Sequence, residues 1–520
     1  MSQRALAFDP LDMRNYSLEK LPEMATTRMA EIVKMLGFPL AIFLFLFFEL
    51  RWCGAIEAFE VQTKVPPGVC YSAVGIFFAS LVLWIAESIP NYLTSFLVVI
   101  AIVLTGIMKM RAAFSYMGEP VMILNIASFI LASSLVVTGI AKRISLMIVL
   151  RFFRKIDVVL LAFIALNIFL GAFISATSAK TALLLPLFMV ISAIFGATGG
   201  EYRNSVGKNM VLQNLVANDA SCGAFMTGSA ANLVAISLLQ NAGATVYYSD
   251  WFIALFPIAV IQCSFTWWSG TRVIFPIRKE DAIPKLEGGE QRLRDELTRL
   301  GPVSLDEIKA GAVFILVLLF WATDRYHGIR AEIIALIGAS LVLMPAFCGL
   351  PRLGVIKWNQ ADIPWHMLMF SWGAYVLGGM CEVTDIVGIG MQHLFTVMNI
   401  TAATPKVLVF MALSAIFALS SIVNQSKTAR TIIMFPILIS TARTFGWDLA
   451  GFCLPMGYII GQVYVLYFNS KPANISYLTN QYSSWESFKF GITQMFFAWL
   501  LLIPWTHYVM PLMGFDSKLW

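Results

Sequence analysis

Apolar residues along this chain gather into runs instead of alternating with polar ones. The runs fall at about 36 to 51, 70 to 87, 91 to 108, 121 to 141, 157 to 196, 211 to 240, 251 to 275, 308 to 323, 329 to 350, 364 to 381, 405 to 443, 448 to 468 and 487 to 513. Most could cross a bilayer core of roughly 30 Å. Helices are the predicted form, because hydrocarbon offers no partner to a free backbone N–H or C=O. The runs 157 to 196 and 405 to 443 are about twice the length of one crossing. Each is interrupted near its centre by small and hydroxylated residues with one lysine: Ser175-Ala-Thr-Ser-Ala-Lys180-Thr181 and Ser420-Ser-Ile-Val-Asn424-Gln-Ser426-Lys427-Thr428. Each reads as two half-helices meeting at a polar tip. Two further stretches, Thr227-Gly-Ser-Ala-Ala-Asn232 and Asn469-Ser-Lys-Pro-Ala-Asn474, place Gly or Pro inside apolar runs and should break their helices.

These features occur in pairs. Pro120 matches Pro364, Lys180-Thr181 matches Lys427-Thr428, and Asn232 matches Asn474, at offsets of 364 − 120 = 244, 427 − 180 = 247 and 474 − 232 = 242. The near-constant offset describes one duplicated unit. Duplication with paired broken helices is the pattern of a secondary transporter whose inverted repeats place the binding site at the midplane.

Composition agrees. Of 520 residues, 59% are hydrophobic and 13% charged, and the mean hydropathy is +0.77. Soluble domains carry about a quarter charged residues, so a set of soluble domains, a disordered chain and a nucleic-acid-binding protein are all excluded. The net charge is +6, from 36 Lys+Arg against 30 Asp+Glu. The basic residues cluster at Lys142, Arg143, Arg151, Arg154 and Lys155, and at Arg278, Lys279, Lys285, Arg292, Arg294 and Arg299. Both clusters are expected on the cytoplasmic side. Seven cysteines (Cys53, Cys70, Cys222, Cys263, Cys348, Cys381, Cys453) show no C-x-x-C spacing and read as small hydrophobes. Residues 1 to 34 are polar, without a short apolar core and cleavage site, and read as a cytoplasmic arm, partly helical around Thr26 to Lys34.

A polar tip inside a membrane survives only where protein or a water-filled cavity surrounds it. Helix N-termini there present free N–H groups and the positive dipole end, which suit an anion. An ammonium near the centre of a span costs roughly 2.5–3.5 kcal/mol, so Lys180 and Lys427 are the sharpest features. Two like-placed lysines point to a bound anion whose charge they neutralise. The competing reading is that each bonds to carbonyls or pairs with an acid such as Asp219, Glu382 or Asp385. Arg430, three residues beyond Lys427, shares roughly its helix face and could grip a carboxylate, or could serve a purely structural role. Catalysis is not expected. The four histidines are scattered, and no His-Glu-x-x-His, Gly-x-Ser-x-Gly or phosphate loop occurs. No metal or cofactor is called for. The Asn-x-Ser matches at Asn424 and Asn474 fall at the expected site and are read as false glycosylation signals.

From about residue 70 to 513 the chain resembles the divalent anion/sodium symporter family, carriers of di- and tricarboxylates, sulfate and related anions. Trp84-Ile-Ala-Glu-Ser-Ile-Pro90 with Thr94 is similar to the family's Trp-x-x-Glu-x-x-Pro-x-x-x-Thr segment. Ala141-Lys-Arg-Ile-Ser145 resembles its basic turn, and Gly228-Ser-Ala-Ala-Asn232 its Gly-Thr-x-x-Asn break. The resemblance implies inverted repeats with two re-entrant hairpins, a scaffold plus a mobile transport domain, elevator-type alternating access and a homodimer. The family carries Ser-Asn-Thr at each hairpin tip, binding a substrate carboxylate and Na⁺. Here the second tip reads Ser426-Lys427-Thr428, and the first reads Ala176-Thr177-Ser178 with Lys180 two residues later. A lysine where Na⁺ would sit repels a cation and can stand in for its charge. Anion recognition is therefore expected to persist, with sodium coupling weakened or lost in favour of exchange or proton-linked transport.

The expected protein is thus an all-α inner-membrane transporter of a small divalent anion. Its expected divisions are a cytoplasmic arm (1–35), a first span and external loop (36–69), a first repeat (70–276), a cytoplasmic linker (277–307) and a second repeat (308–514). The expected site comprises Ser178, Lys180, Thr181, Ser229 and Asn232 from the first repeat. The second contributes Ser426, Lys427, Thr428, Arg430, Ser470 and Asn474. A sodium-coupled symporter, an inorganic-ion antiporter or channel, and a membrane enzyme are the competing classes.

Overall fold

The computed structural model describes residues 10–16, 28–56, 59, 65–152, 155–172, 174–286, 288–346, 353–401, 403–424 and 426–520. Arg154, Cys348 and most of the expected N-terminal arm lie outside them. Among the described residues the chain is helical, and its one extended contact is an isolated bridge between Gly199 and Tyr202. By length and composition six helices can cross a membrane, or seven if a pair bent by 63° counts as one span. Of the seven cysteines, Cys53, Cys222, Cys263, Cys381 and Cys453 are free thiols.

After α1 (Arg28–Glu49), the first half runs α2 (Pro67–Ala86), α3 (Asn91–Leu104), α4 (Pro120–Val137), α5 (Ile140–Phe152), α6 (Ile156–Gly171), α7 (Thr177–Ile194), α8 (Ser205–Ala224), α9 (Ala230–Asn241) and α10 (Tyr248–Ser269). A polar connection follows, containing α11 (Gly289–Arg299). The second half then runs α12 (Leu305–Ala322), α13 (Ala331–Leu343), α14 (Trp365–Thr384), α15 (Ile386–Val397), α16 (Lys406–Val423), α17 (Lys427–Phe445), α18 (Leu449–Ile460), α19 (Lys471–Leu478) and α20 (Ser484–Pro504). Helix for helix, α2–α10 corresponds to α12–α20. Both α10 and α20 end in a π-helical turn, Gly270–Ile274 and Trp505–Val509. Both α7 and α17 carry a proline nine residues after their first residue, Pro186 and Pro436. The halves interlock: α14 packs on α3 and α13 on α4.

The two double-length runs are hairpins. At α6 the chain has only 16 residues, about 24 Å at about 1.5 Å per residue, short of a full crossing. It then turns between Gly171 and Thr177 and returns along α7. Phe163 meets Phe188 edge to face, centroids 5.0 Å apart, which holds the two legs antiparallel. In the second hairpin the Arg430 guanidinium reaches back from α17 to Ser420 and Phe417 on α16. The breaks at 225–229 and 461–470 divide α8 from α9 and α18 from α19. In the first, a Cβ on Gly228 would lie 2.3 Å from the Cys222 carbonyl oxygen, so glycine is required there.

One expectation needs correcting. Ala141–Ser145 is not a turn but the first turns of α5, and Arg143 is not a solvated loop charge. Its side chain is buried against Glu307, with Nε at 3.0 and 3.1 Å from the carboxylate oxygens and the guanidinium also donating to the carbonyls of Leu300, Gly301 and Pro302. Lys142 pairs with Glu296 at 3.1 Å. The first basic cluster thus ties α5 to the connection and to the start of the second half. A buried guanidinium needs this many acceptors, and the end of α11 supplies them.

Candidate functional site

Four helix N-termini open at the tips and breaks. Ser426 caps α17 by accepting from the Ala429 N–H at 3.2 Å. Ser229 caps α9 at the Ala231 N–H (3.3 Å) and Ser470 caps α19 at the Ala473 N–H (3.3 Å). The fourth, α7, starts at Thr177 without a side-chain cap. α19 packs on α7 and α9 packs on α17, so each break helix lies against the hairpin of the other half. Serines sit at these positions because their hydroxyls satisfy N–H groups that the first helical turn leaves free.

Lys180 is fully buried. Its ammonium donates to the Asn167 carbonyl (3.3 Å), the Asn218 carbonyl (3.3 Å) and the Ser221 hydroxyl (2.7 Å), with the Cys222 sulfur at 3.4 Å. Ser221 gives its own hydroxyl proton to the Asn218 carbonyl, so its oxygen is an acceptor for the lysine. The three oxygen acceptors equal in number the N–H bonds of a charged ammonium. The same side of α8 supports the tip, with the Asn218 amide donating to the Thr177 carbonyl (2.9 Å) and the Thr181 hydroxyl (2.8 Å). Lys180 therefore does not present its charge to a solute directly. Its ammonium is caged by oxygens of α6 and α8.

Lys427 pairs with Asp219 of α8. The other Asp219 oxygen accepts from the Val463 N–H at 3.0 Å. Next to Val463, the Gln462 carbonyl accepts from Arg430 at 3.4 Å, and Arg430 also donates to Ser420 Oγ (2.9 Å) and the Phe417 carbonyl (2.5 Å). One continuous network thus runs from the Lys180 cage through Asn218 and Asp219 to Lys427, and through Val463 and Gln462 to Arg430. The competing reading of each lysine describes its bonds: carbonyls for Lys180, an acid for Lys427. The charge count is nevertheless uneven, with three cations on one carboxylate among the described residues of the network.

The remaining expected residues divide between framework and open chemistry. The Asn232 amide donates to the Cys222 and Phe225 carbonyls, both at 2.8 Å, and so satisfies the frayed end of α8. Ser178 is half-buried at the first tip, and Thr428 is buried one residue after Lys427. Asn474 Oδ1 is buried with no hydrogen-bond partner among the described residues. Such atoms occur at several places in the fold, and at the tips and the second break they include Ser175 Oγ, Asn424 Nδ2 and both amide atoms of Asn469, all outside the expected set. Buried polar atoms without partners are costly, about 1–3 kcal/mol each, and those at the tips and the second break are candidates for completion by a ligand. Sequence reasoning also left Asp219 out of the site. Its signal was present: it is the only charged residue in the run 211 to 240, and an intramembrane acid is a functional candidate by default. A separate cleft of about 440 Å³ lies farther along α17, between Leu238, Glu382, Asp385, Pro436 and Arg443. Among the described residues no three His, Cys, Asp or Glu side chains converge as a metal site would need.

The family model described as the sodium:sulfate symporter transmembrane region matches residues 65–514. The chain belongs to the sodium:sulfate symporter family. Within it, similar proteins include one called a membrane protein from Cupriavidus necator, 24% identical over 88% of this chain and 92% of its own length. The sodium-dependent dicarboxylate transporter SdcS of Staphylococcus aureus is 22% identical over 88% of this chain and 89% of its own. Among solved structures, the Alcanivorax borkumensis YdaH transporter aligns with 94% of this chain and 98% of its own, at 12% identity and a TM-score of 0.48. The sodium:sulfate symporter family is the divalent anion/sodium symporter family that the tips and breaks resemble.

Proposed function

We propose that this family member is a secondary active transporter of small divalent anions, organic dicarboxylates or sulfur oxoanions, in the bacterial inner membrane. It works without sodium, by exchange or with protons. The observation that carries this reading is the charge imbalance between the tips: Lys180, Lys427 and Arg430 against Asp219 alone. Two uncompensated positive charges in a medium of low dielectric call for a counter-charge of two. Free N–H groups at the helix starts and the unpartnered Nδ2 groups of Asn424 and Asn469 provide donors for its oxygens.

The Lys180 cage supports the absence of sodium coupling. Two carbonyls and a hydroxyl around a buried centre are the ligands a hard monovalent cation takes, and here a tethered ammonium fills them permanently. A second cation placed there would meet its repulsion. Movement follows the scaffold-and-elevator scheme, in which the hairpins and broken helices carry the site as one body in each protomer of a homodimer. The second reading is sodium-coupled dicarboxylate symport, favoured by the function named for the Staphylococcus aureus relative.

Uptake of labelled succinate and of labelled sulfate into proteoliposomes, in sodium chloride and in choline chloride, tests the proposal. Equal rates in the two salts, with counterflow against unlabelled anion, are expected. Uptake that collapses in choline overturns the sodium-independent reading, and an absence of counterflow favours a channel.

A further inference from the structure

We infer that Asp219 is a specificity-determining residue: an internal anion that sets the charge of the site, so that a dianion is preferred to a monoanion or a trianion. The inference rests on the transport reading above and adds what selects within it. Asp219 is fully buried near the C-terminal end of α8 and has two partners, both from the other half of the chain: the Lys427 ammonium at the second tip and the Val463 N–H in the second break. It therefore does two things at once. It removes one of the three positive charges from what an incoming solute meets, leaving Lys180 and Arg430 uncompensated. It also fixes where Lys427 sits, because the carboxylate is held from behind by a backbone donor.

The three cations are not equivalent. Lys180 and Arg430 are neutral-partnered: every bond the structure gives them ends on a carbonyl, a hydroxyl or a thiol. Such dipoles hold a cation in place without cancelling its charge, whereas the Asp219 carboxylate cancels that of Lys427. Lys427 also keeps a partly exposed side chain, 11% against 0% for Asp219, so of the two partners only the lysine has an edge toward an incoming solute. An anion arriving between the tips meets a net charge of two, with Asp219 behind Lys427 as a fixed repulsive element against a third negative charge. Specificity of this kind depends on the unfavourable interaction as much as on the favourable ones.

The charge states separate the outcomes. The Asp219→Asn variant keeps an acceptor for Val463 and frees Lys427, raising the net charge by one; taking a separation of about 8 Å and an effective dielectric of about 20, an added unit charge changes the trianion-to-dianion affinity ratio about thirtyfold. The Asp219→Asn/Lys427→Gln double variant removes both members of the pair and keeps the wild-type net charge. The probes are lactate, succinate and citrate, each competing against labelled succinate in the full-length protein in proteoliposomes, with the pH held where citrate carries three charges. Expected is a shift of about thirtyfold toward citrate in Asp219→Asn and a return to the wild-type ratio in the double variant. If Asp219→Asn fails to fold, the double variant alone decides: a folded double variant must hold the wild-type ratio. Succinate binding with an unchanged citrate ratio in Asp219→Asn, or a shifted ratio in the double variant, overturns the assignment of Asp219. Failure of the wild-type chain to bind any of the three anions instead removes the transport reading, and this inference with it.

Discussion

Removing the Lys180 charge tests the electrostatic account at the point where it makes the largest claim. Lys180 touches no solute, and its ammonium is enclosed by Asn167, Asn218 and Ser221. Any effect on anion binding must therefore act through space. Lys180→Met keeps the length and bulk of the side chain and deletes the charge. Taking a separation of about 8 Å and an effective dielectric of about 20, the attraction lost for a dianion is about 332 × 2/(20 × 8), or about 4 kcal/mol, roughly a thousandfold in affinity. Stability should move less, by about 1–3 kcal/mol, because the Asn167, Asn218 and Ser221 oxygens lose the ammonium as donor. The assay is titration of purified protein with succinate and with sulfate, followed by thermal shift, which reports folding and ligand affinity together. Lys180→Ala adds a second arm. It empties the cage but leaves its three oxygens, so sodium at high concentration should restore part of the lost affinity while choline does not. A folded Lys180→Met variant that binds either dianion within about threefold of the wild type would refute the through-space argument. Sodium-insensitive Lys180→Ala would refute the idea that the cage is a cation site filled by a tether.

Three further outcomes follow from the same geometry. Lys427→Asn should lower transport and also lower stability by about 3–5 kcal/mol, because Asp219 is left buried with one backbone donor; thermal unfolding should show Lys427→Asn/Asp219→Asn to be more stable than the single variant. Arg143→Gln should cost about 3–5 kcal/mol by stranding Glu307, read as a loss of folded protein in detergent by fluorescence-detected size exclusion, with Lys142→Gln at the exposed neighbouring pair nearly silent. Gly228→Ala should abolish counterflow, since its Cβ must push the Cys222 carbonyl away from the break that Asn232 stabilises; an active Gly228→Ala transporter would show that the break tolerates rearrangement.

Much of the architecture was legible because a bilayer imposes simple rules. Backbone groups must be satisfied within each segment, so apolar run length reports helix length, and a polar interruption in a double-length run reports a hairpin. The paired tips, the paired breaks and their near-constant offset needed no coordinates. Nor did the serines at 229, 426 and 470, whose preference for the start of a helix is a local property of the side chain. The basic turn at 141–145 was misread because a charge cluster at the end of an apolar run is ordinarily solvated, and nothing local announces that Glu307, 164 residues away, will bury it.

Sequence by itself determined the class of molecule, the duplicated order of broken helices and the location of two intramembrane lysines. What it could not determine is what those lysines touch. The cage of Lys180 is drawn from α6 and α8, and the partner of Lys427 lies 208 residues away in the other half. Such pairings depend on how the two halves interlock, and a residue-type pattern carries no record of it. Only the tertiary structure decided that one lysine bonds to neutral acceptors while the other pairs with a carboxylate. The physical reason is that Coulomb interactions in a medium of low dielectric depend on distances between distant parts of the chain.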